Sequence, residues 1–93
     1  MGPEAEIERR TVKEAKADGW LVRKLAFLGT RGATDRLFGK QRQAIFIEFK
    51  APDEEPTRQQ LRRHKELRDV FGFKVYWCDS IEEARDILGL PGG

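Results

Sequence analysis

AIFIEFK, residues 44–50, reads as the clearest β-strand of the chain, and the remaining elements arrange themselves around it. Alternate side chains of a strand share a face. Ile45, Ile47 and Phe49 therefore point one way, and Phe46, Glu48 and Lys50 the other. So apolar a strand belongs in the middle of a sheet, yet it carries a carboxylate and an ammonium on one face. Burying those charges is costly unless each has a partner.

Upstream, DRLF (35–38) begins another strand, after the glycine-bearing loop LGTRGAT (28–34) and before a turn near Gly39 and Lys40. WLVRKLAF (20–27) reads as a strand, and EAEIERRTVKEAKAD (4–18) as an amphipathic helix that stops at Gly19. Downstream, the two prolines of APDEEP (51–56) exclude regular structure. TRQQLRRHKELRDVF (57–71) is a second helix with Thr57 as N-cap, ended by Gly72. FKVYWC (73–78) is a fourth strand, and Ser80 with Glu83 suits a capping box for a last helix over 81–88. The order α-β-β-β-α-β-α predicts an α/β domain with a mixed central sheet flanked by helices. Residues 1–93 make one domain, small enough to gain stability from a partner.

Composition narrows the classes. Charged residues are 37% and aromatics 10%, too apolar for a disordered tail. No run of 18 apolar residues is present, so a membrane span is not expected. Glu4, Glu6 and Glu8 stand where a signal peptide would be apolar. Cys78 is the single cysteine, which excludes an internal disulfide and a cysteine-rich zinc site; an intracellular, reducing compartment fits best. The net charge of +2 hides a pattern: residues 1–19 carry −1, residues 20–50 carry +5 and residues 51–93 carry −2. The basic surplus surrounds the two acids of the middle segment, Asp35 and Glu48. That suits a polyanionic partner, although solubilising lysine and arginine would look the same.

Asp35 lies thirteen residues before Glu48, at the start of the preceding strand, and is a candidate neighbour for it. Two close carboxylates repel unless a divalent cation lies between them, and such an oxygen-rich site suits Mg²⁺ or Mn²⁺. Lys50 could then orient or deprotonate water, or offset charge on a phosphate. The alternative is a structural Glu48–Lys50 ion pair, since E-x-K alone is common. At about 100° per residue, Glu8 falls in the middle of the first helix's inward arc with Ile7, Thr11 and Ala15. It is a candidate third carboxylate, with Glu4 as rival; either could instead only favour the positive end of the helix dipole. On the second helix Gln60 falls among Leu61, His64, Leu67, Val70 and Phe71, on the face turned to the sheet. It either reaches a catalytic group or closes a capping box with Thr57, three residues before it. His64 is the sole histidine and reads as a partly buried helix residue rather than a metal ligand. Trp20, Phe73, Tyr76 and Trp77 read as core. Arg58, Arg62, Arg63, Lys65 and Arg68 face outward on the second helix, for phosphate or for solvation alone.

The pattern Glu8 … Asp35 … Glu48-Phe49-Lys50 … Gln60 resembles the PD-(D/E)XK nuclease superfamily. Within it, RGATD (31–35), IFIEFKAP (45–52) and QLRRHKELRDVFGFKVYWCDS (60–80) resemble the virus-type replication-repair nuclease (VRR-NUC) family, over residues 4–88. The resemblance implies a restriction-endonuclease-like core. It implies a divalent metal, Mg²⁺ or Mn²⁺, held by Asp35, Glu48 and the backbone carbonyl of Phe49, with Glu8 completing the acidic cluster directly or through water. Lys50 would activate water and Gln60 would stand near the site. Arg31, Arg36, Lys40, Arg58 and Arg62 are candidate DNA contacts. The turn before the aspartate departs from the family's Gly-Val-Pro-Asp: it is Gly32-Ala33-Thr34-Asp35, without the fixed φ of proline. The expected activity is hydrolysis of DNA phosphodiesters by metal-activated water, in the manner of a Holliday-junction resolvase acting as a homodimer. The alternatives are a flap or duplex nuclease, a non-catalytic nucleic-acid-binding module on the same fold, and a structural subunit.

Overall fold

A computed structural model of the chain describes residues 2–24 and 35–91. The expected strand end at 25–27, the loop 28–34 and Arg31 lie outside the described residues. The elements follow the expected order: α1 (Pro3–Ala17), β1 (Leu21–Lys24), β2 (Asp35–Lys40), β3 (Gln43–Phe49), α2 (Arg58–Asp69), β4 (Lys74–Cys78) and α3 (Ile81–Leu88). One mixed sheet runs β1-β2-β3-β4. Its first two pairings are antiparallel, and β3 with β4 is parallel. Parallel neighbours need a crossover, and α2 supplies it.

Directly opposed residues share a face of the sheet. On one face Phe38, Ile45, Ile47, Phe49 and Cys78 meet Ala15 and Trp20 from around α1 and Ala84, Leu88 and Leu90 from around α3. Arg85 clamps Glu14 with two 2.9 Å hydrogen bonds, tying those helices together. On the other face a smaller cluster of Phe46, Val75 and Leu67, with Phe73 against it, seats α2. The next position along β3 on that face, beyond Phe46, is Glu48.

Glu8, Thr11 and Ala15 are the buried residues of α1, as helical phase predicts. Gly19, at φ 93°, reverses the chain after it. Gly19 N–H then bonds the Lys16 carbonyl at 3.1 Å and Trp20 N–H the Ala15 carbonyl at 2.9 Å, a Schellman ending that delivers Trp20 to the core. α3 spans the expected residues, with Ser80 Oγ accepting from Glu83 N–H at 3.2 Å.

Three expectations need correction. The turn falls not at Gly39 and Lys40, which are paired in β2, but at Gln41 and Arg42. Lys40 is held in the strand because its Nζ donates to the Asp18 carbonyl at 2.6 Å and to its carboxylate at 3.0 Å, lying 5.7 Å over the Trp20 ring. Gln41 and Arg42 take φ of 50° and 67°, the two left-handed positions of a type I′ hairpin turn, without the Asn-Gly that favours it. Replacing the pair by Asn-Gly should stabilise the fold by about 1 kcal/mol in urea titration, because the left-handed cost is relieved.

The second correction concerns α2. Only His64 and Leu67 are buried on it. Val70 and Phe71, expected on the inward face, are 71% and 62% exposed, and Leu61 is 45% exposed. The face that α2 covers offers little beyond Phe46 and Val75, which two side chains one turn apart suffice to cap. Tyr76, expected in the core, is 43% exposed on β4, an edge strand.

Candidate active site

Asp35 is the first residue of β2 and stands directly across the antiparallel ladder from Glu48 in β3. Opposed Cβ atoms in such pairs lie about 4.5–5.5 Å apart, so the two carboxylates are neighbours on one face. Both are buried, at 6% and 5% exposure. Lys50 follows β3, and its N–H prolongs the parallel pairing by bonding the Cys78 carbonyl at 2.9 Å. Its Nζ comes within 3.3 Å of Glu48 Oε2 and 4.0 Å of Glu54 Oε1. The Glu48–Lys50 pair weighed in the sequence thus exists, and a second buried acid stands beside it.

The fourth member was missed. His64 Nε2 lies 2.8 Å from Glu48 Oε1, and the ring is 2% exposed. A carboxylate only accepts, so Nε2 carries the proton of that bond. The ring packs edge-on to Phe46 at a centroid distance of 5.8 Å. The signal was there in helical phase: His64 shares the inward arc with Leu67, on the helix that covers the Glu48 face.

The two acids are driven in opposite directions. Burial, and then the charge of Glu48, push the Asp35 carboxyl up to about 6. Burial also works to raise Glu48, but the His64 hydrogen bond and the Lys50 charge outweigh it and hold that carboxyl below its ordinary value.

Glu8 is buried at 7% exposure and accepts from Arg36 Nε at 2.6 Å. Arg36 follows Asp35 in β2, so the pleat turns it to the opposite face of the sheet. Glu8 therefore approaches from the α1 side with a cation of its own. Its charge still reaches Asp35, adding to the upward push on that carboxyl. Glu4 is half-buried and lies against Gly2 at the start of α1.

Gln60 closes a complete capping box. Its Oε1 accepts from Thr57 N–H at 2.9 Å, and Thr57 Oγ1 accepts from Gln60 N–H at 3.1 Å. The expected outcome is that Thr57→Ala and Gln60→Ala each lower thermal stability by about 1 kcal/mol with little loss of turnover. A collapse of turnover in Gln60→Ala alone would give Gln60 a part in the chemistry. Among the candidate DNA contacts, Arg58 and Arg62 are exposed on α2. Arg36 and Lys40 are engaged with Glu8 and Asp18.

Two buried, mutually repelling carboxylates are an oxygen donor set that suits a hard divalent cation. Among the described residues no group of three or more His, Cys, Asp or Glu side chains is arranged to hold an ion. The set that fits is Asp35 and Glu48 with backbone oxygen, for which the Phe49 carbonyl stands between Glu48 and Lys50 in sequence. Cys78 offers no competing thiolate: burial pushes its thiol up to about 12.

No family model matches the chain. It is 42% identical over 78 residues to the "Putative nuclease p44" of Acyrthosiphon pisum secondary endosymbiont phage 1, covering 83% of each protein. A solved structure described as a VRR_NUC domain superimposes with a TM-score of 0.79 at 27% identity, covering 96% of this chain and 97% of that one. The paired Asp35 and Glu48, the lysine two residues on, and a likeness that runs over nearly the whole chain lead to one assignment: the chain belongs to the virus-type replication-repair nuclease (VRR-NUC) family.

Proposed function

We propose that this nuclease is a divalent-metal-dependent DNA endonuclease, selective for branched DNA in the manner of a Holliday-junction resolvase, that works as a homodimer. The observation that carries the reading is Asp35 opposite Glu48 in the β2–β3 ladder, with Lys50 Nζ 3.3 Å from Glu48 Oε2. Asp35, Glu48 and the Phe49 carbonyl would hold Mg²⁺ or Mn²⁺. When bound, the cation would supply Lewis acidity, which makes a water more acidic and, by polarising a phosphate oxygen, the phosphorus more open to attack. Lys50 orients the water and offsets negative charge growing on the phosphate. Glu8, already paired with Arg36, acts at longer range on Asp35. Arg58 and Arg62 on the exposed side of α2, with Arg31, supply phosphate contacts, whereas Arg36 and Lys40 are taken up by Glu8 and Asp18. A symmetric junction needs two cuts, and a C₂ dimer brings two sites. The exposed Val70 and Phe71 are apolar surface that a second copy would cover. Among the described residues no helix is long and apolar enough to cross a membrane.

The test is a cleavage panel of labelled four-way junction, flap, duplex and single-stranded DNA with Mg²⁺, Mn²⁺ or EDTA, on a sample of calibrated size. The expected result is paired nicking of the junction by a dimer, abolished by EDTA. Binding without cleavage under every metal would leave a nucleic-acid-binding module. Equal cutting of plain duplex would remove the junction preference.

A further inference from the structure

We infer that His64 is a positioning residue for Glu48, holding the carboxylate by Oε1 in the rotamer that stands opposite Asp35 and so setting the site's affinity for its cation. This deepens the metal-dependent reading above and rests on it. A glutamate in a strand has three rotatable bonds to order before it can act as a ligand, and the lost side-chain entropy opposes binding. The His64 bond, at 2.8 Å, fixes them in advance. Lys50 is a poorer clamp: it sits 3.3 Å from Oε2 and also reaches towards Glu54 at 4.0 Å. His64 is itself rigid, 2% exposed and wedged edge-on against Phe46. Gln60, the polar side chain one turn earlier on α2, is taken up by its capping box with Thr57. Among the described residues, His64 is thus the α2 side chain that bonds a site carboxylate. Ligating carboxylates are commonly hydrogen-bonded from behind, and losing such a partner weakens metal binding by about 10- to 100-fold.

The test is Mn²⁺ titration of the full chain without DNA, read by paramagnetic resonance of the free ion. His64→Phe keeps a ring against Phe46 but has no donor, whereas His64→Gln offers an amide N–H near the position of Nε2. The expected result is a Kd raised by about 10- to 100-fold in His64→Phe and largely restored in His64→Gln. Thermal unfolding in EDTA reports whether each variant folds. If His64→Phe does not, His64→Met, equally without a strong donor, takes its place in the same titration. Wild-type affinity in a folded variant without a donor overturns the positioning role and leaves the nuclease reading intact. No Mn²⁺ binding by the wild-type chain overturns both. Weakened binding in His64→Phe by a wild-type protein that cuts no DNA supports the positioning role and sinks the nuclease reading alone.

Discussion

Lys50→Ala should lower the single-turnover cleavage rate by about 100- to 10,000-fold, the range for losing one group that assists proton transfer or stabilises developing charge. DNA affinity should change little, because the side chain is only 13% exposed and lies beside Glu48 rather than on the open face of α2. The fold should persist: Lys50 lies just past β3, and its backbone bond to Cys78 does not depend on the side chain. Glu48 keeps its His64 bond, so a modest fall in Tm is expected rather than collapse. Lys50→Arg should not rescue cleavage, because a planar guanidinium cannot take the place of a compact ammonium beside the same carboxylate oxygen. Rapid-quench measurements under excess enzyme isolate this step from product release. Full cleavage by Lys50→Ala would remove the lysine from the mechanism and return E-x-K to a structural ion pair.

Much of this site is legible in the sequence. The alternation of AIFIEFK placed Glu48 and Lys50 on one face, and the position of Asp35 at the start of the neighbouring strand made the pairing plausible. Antiparallel register then puts Asp35 and Glu48 directly opposite each other. The helical phase of α1 correctly buried Glu8. It could not show that Arg36 would meet Glu8 on the α1 side of the sheet, away from Asp35, because that depends on how α1 crosses β2. The α2 reading failed for a related reason. Phase tells which residues share a stripe but not how wide the receiving surface is. A face offering Phe46 and Val75 accepted His64 and Leu67 and left Leu61, Val70 and Phe71 outside. Gln60 and His64 lay on the same arc. The local capping geometry drew the glutamine to Thr57, and the buried carboxylate drew the histidine.

Asp35→Asn should abolish metal-dependent cleavage and, unusually for a buried site, stabilise the metal-free protein at neutral pH. The folded carboxyl is raised from 3.8 to about 6, so an ionised Asp35 destabilises the native state. For a group raised in the folded state, stability is full below the unfolded pKa and is lost as pH rises through the folded one. The window here is therefore pH 4 to 7 in EDTA, and the loss amounts to about 3 kcal/mol at the conversion of roughly 1.4 kcal/mol per unit. Asparagine keeps the shape and cannot ionise. Relative to wild type, the variant's advantage in urea titration should approach 3 kcal/mol near pH 7.5 and shrink towards zero as pH falls to about 4. Glu48 acts in the opposite sense, its lowered carboxyl losing stability as pH falls, but that contribution is common to both proteins to the extent that the two acids titrate independently. Adding Mg²⁺ should reverse the order: wild type gains stability with the logarithm of the Mg²⁺ concentration once that exceeds Kd, and the variant, lacking one of two carboxylate ligands, gains little. Burying Asp35 against Glu48 is then a destabilising arrangement, and a cation held by the two acids would offset it. A wild-type protein that is as stable at pH 7.5 in EDTA as Asp35→Asn, and indifferent to Mg²⁺, would show that the pair is neutralised from within the chain and would remove the metal from the mechanism.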